Sequence, residues 1–323
     1  MKTSKKLLVV VIGMLVVLFM VGTGSAKELQ PLKVSYLPII DLLQFYVGLE
    51  KGFFEAEGLK VEGQAVPGGA VSQTLVESGS VDLGWTAVVP LSQAYVKGFE
   101  FAFIAPGGFN DRSNRSTVAI AVKKDSPIQS VKDLGGKKIA VNGIQSINHL
   151  SVLTIADFHK VDLKSLKFVE VNFPMQAAAI REGAVDAASL NQPFLTFSQE
   201  EGITRELYPG FFPPEIAERY MISSWFVKRS SLGKNKEKIG KFLKAIYSAT
   251  DYINKNPDQM PEIIAKNTKL DVNLLKKMTF PKFFASVYKK DIQFQIDLCA
   301  KFGFIQKGFD AKEIVATDLV PLQ

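Results

Sequence analysis

From Leu32 to Leu190 short β-branched runs alternate with stretches of helical periodicity, and no other feature narrows the fold as much. Leu32–Tyr36 reads as a strand that ends before Pro38. Leu42, Tyr46, Leu49 and Phe53 then recur at helical spacing, with Gly52 as the stop. The same reasoning predicts strands over 59–66, 81–85, 100–105, 117–122, 138–141, 167–172 and 185–190. Helices are predicted over 70–78, 88–97, 148–159 and 174–182, with another beginning near Pro193. The last third changes character, with long Lys-rich amphipathic helices predicted over 235–255 and 289–301. Strand and helix alternating at this spacing define an α/β chain with parallel sheets and helices on their faces.

One order of residues occurs twice. Gly68-Gly69-Ala70 opens a helix that ends Glu77-Ser78-Gly79-Ser80-Val81-Asp82, and Pro174-Met175-Gln176 opens one that ends Arg181-Glu182-Gly183-Ala184-Val185-Asp186. Each Val-Asp leads into a strand and each strand into a new helix start. This repeat predicts two lobes of related design.

The N-terminus carries a different signal. Lys2, Lys5 and Lys6 precede the apolar run from Leu7 to Val21, and Gly22 to Ala26 is small or polar. Basic, apolar and small residues in that order are the secretory pattern. The run is shorter than the roughly 20 residues a spanning helix needs, so the expectation is a cleaved signal peptide over 1–26 rather than a retained anchor. No Cys follows the run, which argues against a lipid anchor. No later stretch is apolar and long enough to span a bilayer, so the mature chain is expected to be soluble, with enough residues for two ordinary domains.

Composition excludes more than it assigns. The formal charge is +7, three of these charges belong to the leader, and the remainder is scattered among acids without a clustered basic stripe. Nucleic acid is therefore not an expected partner. Cys299, the single cysteine, reads as a buried small hydrophobe. No Gly-x-Ser-x-Gly elbow, Walker loop or Gly-x-Gly-x-x-Gly after a strand is present. The two histidines, His149 and His159, are ten residues apart on one predicted helix, which is not a metal-ligand spacing. The sequence thus predicts neither an enzyme nor a metal, cofactor or catalytic residue.

What it does offer is a set of helix N-termini placed directly after strands. Ligands of open α/β sheets bind beyond the carboxyl ends of strands. Helix starts there present unpaired N–H groups with partial positive charge, suited to an anion. Five segments qualify, and they supply the candidate ligand-binding residues. These are Pro38, Ile39 and Asp41 after the first strand; Gly68, Gly69 and Ala70 after the second, where glycine admits close backbone approach; and Thr86 and Ala87 after Trp85. Gln145, Ser146 and Asn148 follow within Asn142–Asn148, and Asn191 and Gln192 precede Pro193. Plain capping and turn chemistry accounts for each segment singly. Trp85, Phe45 and Phe194 read as core aromatics that could otherwise stack on a flat ligand. Arg112 and Arg115 read as charges on a solvated hinge loop.

Four segments (GLEKGFFEAEGLKVE from Gly48, PGGAVSQTLVESGSVDLGWTAV, VKDLGGKKIAVNGIQSINHL and REGAVDAASLNQPF) carry a family resemblance. The chain resembles the nitrate/sulfonate/taurine and thiamine-precursor family of periplasmic binding proteins of ABC importers, from about Val34 to Phe226. The resemblance implies a two-lobed, type 2 periplasmic binding fold (a Venus flytrap), each lobe a mainly parallel sheet flanked by helices. Lobe I would comprise 27–113 and be completed by 225–323, and lobe II would be the insert at 114–224. It further implies a monomer that captures a small molecule between the lobes and delivers it to a membrane permease with its ATPase. Many members carry Trp-Glu-Pro where this chain has Asn191-Gln192-Pro193, so an aromatic and a charge are missing. Two rivals share the fold: an enzyme of thiamine-pyrimidine synthesis and a ligand-sensing module. The enzyme would rely on a reactive histidine, a cysteine-rich segment and pyridoxal phosphate, which one Cys and two His do not supply. With helix starts as the main polar features, the expected solute is a small organic anion, a sulfonate or carboxylate.

Overall fold

In the computed structural model the described residues are 28–323, so the expected signal peptide lies outside them. The strands are β1 (Gln30–Tyr36), β2 (Leu59–Ala65), β3 (Leu83–Ala87), β4 (Phe101–Pro106), β5 (Gly108–Asp111), β6 (Val118–Lys123) and β7 (Lys138–Val141). They continue with β8 (Lys167–Glu170), β9 (Ala187–Asn191), β10 (Thr204–Pro209), β11 (Arg219–Met221), β12 (Ser223–Lys228) and β13 (Lys282–Phe283).

Two five-stranded sheets form the two lobes. The first has the order β2-β1-β3-β12-β4, and the second, read from its other edge, β8-β7-β9-β6-β10. In each, four strands share a direction and the fourth in order opposes its neighbours. The sheets are therefore mixed, with the parallel character in the majority. The opposing strand is in each case the one that enters from the other lobe. Between them β5 pairs with β11 and β13 in a small antiparallel sheet. Arg112 lies in an exposed turn just past β5, as the sequence predicts, while the crossing itself is made on paired strands.

The repeated Val-Asp has one job in both lobes. Asp82 Oδ2 accepts the Lys33 N–H at 2.8 Å, and Asp186 Oδ2 accepts the Lys138 N–H at 2.8 Å. The backbone N–H groups of the same aspartates bond to the carbonyls of Lys33 and Lys138. Each aspartate thus clips the neighbouring strand, at mid-strand in β1 and at the first residue of β7, and β3 and β9 begin one residue beyond it, later than the periodicity predicts.

Burial follows period two in β6. Ile120 and Val122 face one cluster with Val152 and Ile155 of the Ile147–Phe158 helix, while Ala119 and Ala121 face Ile180 and Leu195 on the other side. Alanines there let the Phe173–Arg181 and Phe194–Glu200 helices approach the sheet closely. In lobe I the amphipathic Lys236–Lys255 helix buries Ile239, Phe242, Leu243 and Ile246 against Leu43, Phe45 and Trp225. Phe242 stacks on Phe54 at 5.8 Å and meets Trp225 edge-on at 5.1 Å. The Lys236–Lys255 helix therefore shares its core with the first sheet. Among the described residues no helix is long and apolar enough to cross a membrane.

Asp186→Ala should cost about 1 kcal/mol, the usual worth of an exposed hydrogen bond. Asp82→Ala should cost more, because Asp82 also pairs with Lys238 at 3.0 Å. Urea denaturation of the two variants would check the order.

Candidate functional site

The carboxyl ends of both sheets line one cavity of about 50 Å³. Lobe I contributes Leu37 and Ile39 after β1, Gly69 at a helix start, Trp85 and Ala87 of β3, and Pro90. Lobe II contributes Asn142 after β7, Ser146 to Asn148 at a helix start, Phe173, and Asn191 of β9. Phe211 and Ile222, on the segment that returns from lobe II, complete the wall. A hollow of about 270 Å³ shares Leu37, Ile39 and Phe173 with it and adds Pro38, Val66, Pro67 and Phe194. That volume approaches the lower end, about 300 Å³, of small-molecule sites. The two are neighbouring parts of one interlobe cleft. A larger groove, about 470 Å³, lies between the Gly69–Glu77 and Val88–Val96 helices and is lined by lobe I alone.

No charged side chain lines the cavity or the hollow. The polar atoms there are neutral, and some have no partner in the protein. Trp85 Nε1 and Asn142 Oδ1 are buried without a hydrogen bond. Buried polar groups are nearly always paired, so unpaired ones from both lobes mark where a ligand would be recognised. Asn148 is held differently. Its Nδ2 donates to Ser189 Oγ at 2.9 Å, Ser189 O at 3.1 Å and Asn191 Oδ1 at 2.6 Å, which fixes both amides at the wall. Four helices of eight residues or more begin here, at Gly69, Val88, Ile147 and Phe173, so their unpaired N–H groups add positive potential.

The predicted residues fall into three groups. Ile39, Gly69, Ala87, Ser146, Asn148 and Asn191 line the cavity, and Pro38 lines the adjoining hollow. Ala70 lines the lobe I groove. Thr86 is buried beside Trp85, and a Cβ on Gly69 would stand 2.1 Å from Thr86 Oγ1, so position 69 must be glycine because of the protein's own β3. Nothing crowds Gly68 within 4 Å. Like Thr86 and Gly68, the other three lie outside the lining. Asp41 is buried beneath β5. Gln192 is spent on structure, donating to Ser116 O and accepting from Thr196 N. Gln145 meets lobe I through its backbone, its carbonyl accepting from Gln93 Nε2 at 2.7 Å.

Of the aromatics, Phe45 is core, packed at 5.9 Å on Trp225, whereas Trp85 faces the cavity and Phe194 stacks on Phe173 at 6.3 Å. Arg112 pairs with Glu218 on the surface, and Arg115 donates to Pro209 O over the Tyr208 ring, so neither guanidinium reaches the cleft. Pro90, Phe173, Phe211 and Ile222 were not foreseen. Phe173 adjoins a predicted helix start and was open to the same reasoning, but Phe211 and Ile222 come from a crossing with no periodic signature. Cys299 is buried in the lobe I core, where burial pushes its thiol up to about 12. Among the described residues no cluster of three or more metal-ligating side chains occurs.

Residues 40–260 match the family described as NMT1/THI5 like. The chain belongs to that family. Over 327 aligned residues it is 24% identical to a Bacillus subtilis (strain 168) protein provisionally named an aliphatic sulfonates-binding protein, covering 98% of this chain and 94% of that one. The fold is that of the periplasmic aliphatic sulphonate binding protein SsuA from Escherichia coli, with TM-score 0.72, 19% identity and coverage of 90% and 98%. The alkanesulfonate-binding protein SsuA from Xanthomonas axonopodis pv. citri, bound to MOPS, aligns with TM-score 0.74, 17% identity and coverage of 92% and 100%.

Asp41 carries an unusual load. Its carboxyl is buried, Oδ1 has no partner, and the nearest approach from β5 is at Gly108. Burial pushes it up from 3.8 to about 7, against a smaller opposing pull from its own backbone N–H. A carboxyl raised in the folded state binds its proton more tightly there than when unfolded. Its favourable contribution is complete below about pH 4 and is lost as pH rises through 7, a change on the order of 4 kcal/mol. Asp41→Asn should therefore melt above the wild type at pH 8, with the difference shrinking toward pH 4. Calorimetry of both proteins across that range checks the sign.

Proposed function

We propose that this chain is the extracytoplasmic solute-binding component of an ABC importer. It would capture a small organic anion between its lobes and present the closed form to a membrane permease with its ATPase. The observation that carries the reading is the uncharged interlobe cavity, whose unpaired polar atoms come from both lobes. A ligand that accepts from Trp85 Nε1–H on one side and donates to Asn142 Oδ1 on the other is bound best when the lobes are together.

Charge and shape support the anion. The lining holds no carboxylate to repel one, Trp85 Nε1–H is a donor without an acceptor, and four helix starts face the same space. A sulfonate or carboxylate head can be held by such groups without a cationic side chain. The apolar hollow beside Phe173 and Phe194 fits the organic remainder, including a flat one. The names carried by the sulfonate-binding relatives agree with this class. The lobe limits near residues 114 and 224, the cleaved leader, the periplasmic location and the monomeric state belong to the same reading. Against the rival enzyme, the cleft lining contains neither His nor Cys.

A thermal-shift screen of alkyl and aryl sulfonates, carboxylates, nitrate and pyrimidines tests the reading. A ligand at a hundred times its Kd should add about 2.7 kcal/mol of stability. Stabilisation by cations or neutral pyrimidines alone would remove the anion. With a hit in hand, Trp85→Phe keeps the ring and deletes the donor. Affinity should fall roughly tenfold, the worth of one hydrogen bond to a charged group, with little change in the unliganded melting temperature.

A further inference from the structure

His149 sits in the first turn of a lobe II helix, but its ring fills the seam between the lobes. It lies 4.1 Å from the Phe168 ring of β8 and 5.1 Å from that of Phe304, which belongs to the lobe I core. Nδ1 accepts the Gln145 N–H at 2.9 Å, so the ring is neutral with its proton on Nε2. Gln145 in turn has φ 62, a conformation uncommon for a residue other than glycine. Its carbonyl accepts the Gln93 Nε2–H of lobe I at 2.7 Å. One residue thus joins the histidine of lobe II to a side chain of lobe I.

We propose that His149, Gln145 and Gln93 form a proton-sensitive latch on the closed lobes, so that acidification opens the cleft. Protonated His149 has no acceptor at Nδ1. The Gln145 N–H then loses its partner, the left-handed turn that aims its carbonyl at Gln93 loses its anchor, and a charge appears between two phenyl rings. The inference rests on the reading that the solute is held between closed lobes, and adds regulation to it.

Burial alone holds His149 down, from 6.5 to about 4. The charged groups on the elements around it are Lys167 and Glu170 on β8, Asp157 on its own helix, and Lys301 and Lys307 flanking Phe304, with Lys97 beyond the Gln93 helix. Glu170 accepts the Ile144 N–H at 2.6 Å and Asp157 pairs with Lys301 at 2.7 Å. None of these groups contributes to the displacement of His149. Opening removes Phe304 and hydrates the ring, which returns toward its ordinary value of about 6.5. The closed form binds the proton more weakly than the open one. Closure is therefore favoured in full above pH 6.5 and loses about tenfold per pH unit from there toward pH 4.

The test needs no solute. Dyes on Lys60→Cys and Lys164→Cys, exposed on opposite lobes, report lobe separation by energy transfer, while the buried Cys299 stays unlabelled. In the full chain the separation should grow as pH falls from 7 toward 4.5. His149→Phe should flatten that response, and Gln93→Ala should open the lobes at higher pH. Imidazole NMR should show His149 titrating well below the ordinary imidazole value of about 6.5. A separation constant with pH, or one that changes equally in His149→Phe, overturns the latch. So does a His149 that titrates at the ordinary imidazole value of about 6.5. Failure of the solute screen would instead remove the receptor reading and leave these measurements standing.

Discussion

The two lobes are held to one frame by the guanidinium of Arg219. It lies 4.3 Å from the Phe284 ring, 4.8 Å from Phe109 and 4.9 Å from Tyr288, and it donates to Ser286 O at 3.0 Å. It also stands 3.1 Å from Asp291, whose side chain is fully buried. The contacts tie β11 and β5, the two strands on which the chain crosses, to the Lys290–Lys301 helix. A buried ion pair contributes little net stability when intact and costs several kcal/mol when one partner is lost. Its use here is positional. Both crossings are fixed to lobe I, so relative motion is left to the short segments beyond them.

On that frame the like topology of the two sheets becomes functional. Each sheet ends its parallel strands toward the other lobe, so helix starts and strand ends of both meet at one cavity. The polar atoms there are divided by role. The amides of Asn148 and Asn191 are bonded to each other and to Ser189 and are rigid, whereas Trp85 and Asn142 keep unpaired atoms. Such a wall is organised before a ligand arrives, which limits the ordering cost of binding. Ion pairs join the lobes at the rim, Lys301 with Asp157 and Lys277 with Glu200. All four side chains are at least partly exposed, so each pair is worth little alone.

Much of this was legible in the sequence, for identifiable reasons. Strands and helices of both lobes followed from period, and the repeated Val-Asp marked the same clip twice, because an aspartate one residue before a strand can accept a backbone N–H of the parallel neighbour. The loops after β1, β3, β7 and β9 were found because helix starts after strands carry their own signature. The hinge sheet was not found. β5, β11 and β13 are short and pair across long separations, so no local pattern announces them. Asp41 and Gln192 looked like cleft residues because they lie near helix starts, yet tertiary packing turned one under β5 and gave the other two backbone partners. Periodicity says which residues leave a strand end, but not which way they then face.

The strand order also fixes a sequence of events during synthesis. All five strands of lobe II lie between Val118 and Pro209, so its sheet can be complete before the C-terminal third exists. Lobe I is different, because β12 must enter between β3 and β4, and the Lys236–Lys255 helix must then cover Phe45 and Phe54. Until then β3 has an unpaired edge and β4 has no neighbour in its sheet. The lobe that begins first is therefore finished last, and the insertion is a mature unit carried on an unfinished one.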